Sequence, residues 1–145
     1  MRLPAVAGAF YAASASALRS EVKGYLEKAG KNVEAKERLA IVCPHAGYVY
    51  SGSTAAYSFA SCDNWKRGDI TAVIIGPNHT GMGTPVSVSF EGWKTPLGEM
   101  KYDAAFADAI VKNAGWQGGT SWRICASIPA RCSCRFCRWC ALQRK

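Results

Sequence analysis

At 145 residues with 49% hydrophobic side chains, the chain has room for one ordinary domain with a packed core and is too apolar for a disordered segment. No run reaches the roughly 18 apolar residues that a membrane helix needs, and residues 1–8 carry no long apolar stretch, so neither a membrane span nor a secretory leader is predicted and the chain reads as cytoplasmic. The net charge of +8 is local: residues 121–145 hold six Lys or Arg and no acid, and taking those six from 18 leaves 12 bases against 10 acids in residues 1–120.

In chain order, residues 15–29 place Leu18, Val22, Tyr25 and Leu26 at helical spacing, with Gly30 as a stop. Residues 39–43 are a continuous apolar run between charge and Pro44, the pattern of a strand buried on both faces in a parallel sheet. A loop with His45 follows, and then a small-residue helix over residues 53–61 that would pack through Ala55, Ala56, Phe59 and Ala60. Residues 70–75 repeat the buried-strand pattern and lead through Gly76 into a second loop, which holds His79. Val86, Val88 and Phe90 alternate with serines, as in a half-exposed strand. A turn is expected at residues 95–98, and Asp103 should cap a helix carrying Phe106, Ile110 and Val111 that Gly115 stops. The order predicts an α/β fold with a mostly parallel central sheet flanked by helices and right-handed strand–helix–strand connections.

His45 and His79 are the only histidines, each in a loop framed by Gly and Pro after a predicted strand. Ligands of open α/β sheets sit beyond the carboxyl ends of the strands. Neutral imidazole binds iron, copper, zinc and nickel, and also serves as an acid or base near neutral pH. His45 and His79 are therefore the expected metal residues, and Asn78, Tyr48 and Tyr50 the expected substrate-pocket residues. A facial site needs a third ligand, commonly a carboxylate. Nothing in the spacing of Asp63, Asp69, Glu91, Glu99, Asp103 or Asp108 marks one of them, and Cys43 and Cys62 read as small core residues.

Four segments carry a resemblance: RLPAVAGAFY at 2–11, PHAGYVYSG at 44–52, GPNHTG at 76–81 and TPLGE at 95–99. In that order they resemble the Memo-like family, called AmmeMemoRadiSam system protein B in bacteria and archaea. Ala12 departs from the proline common there. The resemblance implies a fold similar to class III non-haem-iron extradiol dioxygenases, with His45 and His79 as metal-site residues and iron or copper as the metal. It also implies a further histidine within an EHS-x-E segment and a later cysteine, neither of which can be placed in this chain. Dioxygenase-like chemistry, copper redox chemistry and phosphopeptide binding have all been associated with the family. Implied partners are a small-molecule or peptide ligand and AMMECR1-like and radical-SAM proteins; no nucleotide cofactor, nucleic acid or membrane partner is expected.

Where the family continues with a segment like AHxxEHSxEVQLPFLQ, this chain turns rich in Cys and Arg: five of its seven cysteines lie in residues 125–140. Synonymous codons can be chosen for residues 127–137 that, regrouped one base earlier from the last base of Ala126, spell EHSREVQLPFL. The expectation is a frameshift between residues 115 and 122. Residues 1–118 are then the N-terminal part of a Memo-like domain, and residues 119–145 a non-native tail. The competing reading is a zinc or iron–sulfur knuckle on Cys132, Cys134, Cys137 and Cys140, with interleaved arginines for nucleic acid, but the spacing fits no standard ribbon. A truncated α/β sheet would leave apolar strands and edges exposed, so the chain is expected to be poorly stable and inactive. Two functions remain for the intact protein, a metal-dependent oxidoreductase and a non-catalytic peptide- or protein-binding module using the same pocket.

Overall fold

The computed structural model describes residues 1–66, 71–77, 87–114 and 123–125. Within it the chain divides into two units. Of the described residues, one comprises 4–66 and 95–98, and the other 1–3, 71–77, 87–94, 99–114 and 123–125.

The first unit is built on two helices. Helix α1 (Ala15–Gly30) begins at Ser14, whose Oγ accepts from the Ala17 N–H at 3.2 Å and so satisfies one of the unpaired donors of the first turn. It buries Leu18, Val22 and Ala29 against α2 (Tyr48–Ala60), which contributes Tyr48, Ser51, Gly52, Ala55, Ala56 and Phe59. Small side chains let the two backbones approach. A Cβ added at Gly52 would sit 2.7 Å from the Tyr25 ring, so only glycine leaves room for that tyrosine. Residues 61–66 fold back on this pair: Lys36 exchanges backbone hydrogen bonds with Ser61 and Asp63, the Asn64 side chain accepts from the Arg38 N–H, and Phe59 meets Trp65 at 5.5 Å between ring centres.

In the second unit, β1 (Ile74–Gly76), β5 (Arg123–Cys125) and β2 (Ser87–Ser89) form a three-stranded sheet in the order β1-β5-β2. β1 pairs antiparallel with β5, Ile75 opposite Ile124, and β2 runs parallel to β5, Val88 opposite Ile124. Arg2 is clipped to Gly92 and Lys94 by two 2.8 Å backbone bonds, and its guanidinium lies 4.3 Å from the centre of the buried Trp93 ring. Strands β3 (Trp93–Thr95) and β4 (Gly98–Met100) form a separate hairpin. Its turn is closed by the Thr95 hydroxyl on the Gly98 carbonyl, with Gly98 at φ 122°, a conformation glycine adopts without a steric penalty. Helix α3 (Ala104–Ala114) is capped by Asp103, whose carboxylate accepts from the Phe106 N–H and from the Thr71 hydroxyl, both at 2.9 Å. These two bonds, the backbone one first, hold the Asp103 carboxyl below its ordinary pKa.

The architecture is mixed helix and sheet, and the expected mostly parallel sheet is not seen among the described residues. In the three-stranded sheet one strand pair is antiparallel and one parallel, with β5 between β1 and β2. Residues 39–43 form no strand there, and of residues 70–75 only Ile74 and Ile75 enter one, with Ile70 outside the described set. An apolar run becomes a strand only where a neighbouring backbone pairs with it, and residues 39–43 enter no such ladder among the described residues. Helix α2 begins at Tyr48, five residues before the predicted start. The predicted α1, the turn at 95–98 and the Asp103 cap are all present. No helix among the described residues is long and apolar enough to cross a membrane.

Candidate functional site

The loop bearing His45 is held by backbone and by tyrosines. Gly8 takes φ 87° and its N–H reaches the Tyr11 carbonyl at 2.8 Å, while the Phe10 N–H bonds Val6. This tight turn presents the Phe10 carbonyl to the Tyr48 N–H, 2.8 Å away, satisfying a donor at the start of α2 that has no partner within the helix. A Cβ at Gly47 would lie 3.4 Å from the Phe10 oxygen and 3.6 Å from its Cα, so the turn packs closely over this glycine. Tyr48 is 2% exposed and faces the Tyr11 ring at 6.1 Å. Its carbonyl accepts from the Tyr25 hydroxyl at 3.3 Å. The Ser51 hydroxyl turns back onto the carbonyls of Ala46 and Gly47, at 3.0 and 3.3 Å, fixing the backbone just after His45.

The PHAGYVYSG segment therefore separates into two sets. Gly47, Tyr48, Ser51 and Gly52 are buried and hold the loop to α1 and to the 8–11 turn. His45, Val49 and Tyr50 face solvent, Val49 at 85% and Tyr50 at 86% exposure. Of the three, His45 is the metal-capable group.

Of the other expected site residues, Asn78 and His79 lie outside the described residues; the strand before them, β1, ends at Gly76, one residue beyond the predicted end at Ile75. The structure puts Tyr48 in the core and Tyr50 on the surface, so the two tyrosines named together do different work. Sequence reasoning missed Phe10, Tyr11 and Tyr25 as supports of the loop. The signal for the first two lay in the RLPAVAGAFY segment, whose glycine makes the turn that reaches Tyr48. Burial first, then the charge of Glu21 and a hydrogen bond to it, pushes the Tyr25 phenol above its ordinary pKa, keeping it a donor.

As a test of fit to a metal, no group of three His, Cys, Asp or Glu side chains comes together among the described residues. They present one histidine, exposed His45, and so do not by themselves complete a coordination sphere. Glu99 instead faces Lys94 at 3.7 Å, and the Cys62 thiol points at the Asn64 side-chain oxygen at 3.4 Å.

Comparison with known proteins agrees with these segments. A family model described as Memo-like protein matches residues 2–120. A MEMO1 family protein of Methanosarcina mazei is 49% identical over 111 residues, covering 77% of this chain and 39% of its own. Similar proteins include one from Methanosarcina barkeri, 47% identical over 111 residues with 77% and 40% covered, and one from Archaeoglobus fulgidus, 44% identical over 114 residues with the same coverage. The chain spans about two-fifths of the length of the curated relatives it matches. By the extent of the family match and these identities, the chain belongs to the Memo-like family.

Proposed function

We propose that this chain is the N-terminal part of a Memo-like protein whose intact form binds iron or copper through His45 and His79, in a fold similar to the extradiol dioxygenases. The observation that carries the reading is the separation within residues 44–52. Four buried residues fix a loop, and the imidazole of His45 stays at the surface on it. A site side chain is best held by residues whose own positions are locked by packing, which is what Gly47, Tyr48, Ser51 and Gly52 supply beneath His45. Asn78 and Tyr50 are the pocket groups we favour, with Tyr48 positioning the loop.

The reaction class that fits is metal-dependent oxidation of a small aromatic or redox-active substrate, and the remaining ligands come from residues beyond 118. Residues 119–145 are read as out-of-frame translation. The family match stops at residue 120, inside the interval where the codon argument puts the junction, which supports this. On this reading the 145-residue chain is inactive. DNA sequencing across residues 115–122, with mass spectrometry of the C-terminal peptide, tests the frame directly. The metal reading is tested on the frame-restored protein: one equivalent of iron or copper by elemental analysis, lost in His45→Ala and in His79→Ala, is expected. Retention of full metal by both variants would overturn it.

A second reading, a non-catalytic module binding a peptide or a protein such as the AMMECR1-like or radical-SAM partners, draws on the exposed Val49 and Tyr50 beside His45. Catechol-dependent oxygen uptake by the frame-restored protein favours the enzyme. Peptide binding that Tyr50→Ala abolishes, without turnover, favours the module.

A further inference from the structure

Of the seven cysteines, Cys43 and Cys62 belong to the first unit, where the Cys62 thiol points at the Asn64 side chain. The described residues bring no three metal-capable side chains together. Four other cysteines, Cys132, Cys134, Cys137 and Cys140, crowd into one short stretch near the end of the chain. Residues 126–145 lie outside the described residues, and what they can bind follows from their side chains and spacing. Residues 121–145 contain no histidine, aspartate or glutamate, so cysteine is the only common metal ligand there.

An all-thiolate set is soft and selects thiophilic ions. Among these, zinc takes four thiolates as a complete tetrahedral shell and needs no further ligand. Cys134 to Cys137 and Cys137 to Cys140 each have the C-x2-C spacing at which two thiols reach one ion, and Cys132 supplies the fourth sulfur. The two pairs share Cys137, which is why they make no standard ribbon. Thiols shed their protons on binding zinc, and four thiolates around Zn2+ leave two negative charges in excess. Arg131, Arg135 and Arg138 are interleaved with these cysteines, and cationic neighbours favour thiolates and offset that excess.

We propose that Cys132, Cys134, Cys137 and Cys140 bind one Zn2+ ion through their thiolates. Four thiol protons leave as the ion binds, and no oxidation is involved. The site is independent of His45 and of the metal reading given above. It holds whether or not the tail is native, because the four thiols belong to this chain either way.

Cobalt titration of the reduced 145-residue chain, without air, tests it. Thiolate-bound Co2+ shows a sulfur-to-metal charge-transfer band in the near ultraviolet, which should saturate at one equivalent and bleach on adding one equivalent of Zn2+. Cys134→Ser combined with Cys137→Ser should abolish the band, and His45→Ala should leave it unchanged. Both tail positions lie beyond residue 120, where the family match ends, so the circular dichroism of α1 and α2 should not change. A parent chain that shows no band would overturn the proposal. So would a band that survives in the double variant or is lost in His45→Ala.

Discussion

Residues 39–43 and residues 44–52 are neighbours in sequence, and they end in opposite conditions. The second segment is tied down by partners that all lie within the first 60 residues: the Phe10 carbonyl, the Tyr11 ring, the Tyr25 hydroxyl and the Ser51 back-bond. The first is more apolar and stays exposed. Hydrophobicity says that a segment must be covered and leaves open by what; hydrogen-bonding turns and glycine contacts name their partners locally. A loop of the second kind takes its geometry from residues near it in sequence, whereas an apolar run like the first specifies no partner of its own.

Mutations that remove the local partners should therefore break the loop, and mutations in the run should leave this chain nearly unchanged. Leu18→Ala empties a fully buried position between α1 and α2 and should cost about 2–5 kcal/mol, read as a lowered unfolding midpoint in urea. Gly52→Ala drives a Cβ into the Tyr25 ring, loosening the bond to Tyr48, and should cost about 1–3 kcal/mol in the same titration. Arg2→Ala removes the cation over Trp93 at a cost of about 0.5–1 kcal/mol and should shift tryptophan fluorescence without touching the His45 loop. Val42→Lys changes an exposed side chain and should stay within about 0.5 kcal/mol of the parent chain.

Acid and base sharpen the same contrast. Tyr25 keeps its proton in the folded chain to higher pH than in the unfolded one. Its contribution is complete below the ordinary value of 10.0 and is lost as pH rises through the higher folded value, so Tyr25→Phe should flatten the alkaline limb of a stability profile. Asp103 behaves in the opposite sense. Its contribution is present above the ordinary value of 3.8 and is lost as pH falls through the lower folded value; Asp103→Asn should remove that acid-side loss of α3 circular dichroism.

Much of the local structure was legible in the residues. Ser14, Asp103 and Thr95 through Gly98 act where their chemistry predicts, because caps and turns are settled by side chains within a few positions. The start of α2 was misplaced because Tyr48, Val49 and Tyr50 favour strands by propensity, while the Phe10 carbonyl and the Ser51 back-bond draw them into the helix. The order β1-β5-β2 and its mixed pairing were not legible, since strand order depends on which backbones pair. Of the candidate site, His45 and its exposure follow from the loop, whereas the division of labour between Tyr48 and Tyr50 needed the packing of Tyr11 and Tyr25 to be seen.

Amide hydrogen exchange of the 145-residue chain, resolved residue by residue, tests this contrast most directly. Protection of the Tyr48 and Ser51 amides and of buried α1 and α2, beside rapid exchange at residues 40–42, is the predicted result. Rapid exchange at Tyr48 and Ser51 together with protection at residues 40–42 would contradict it.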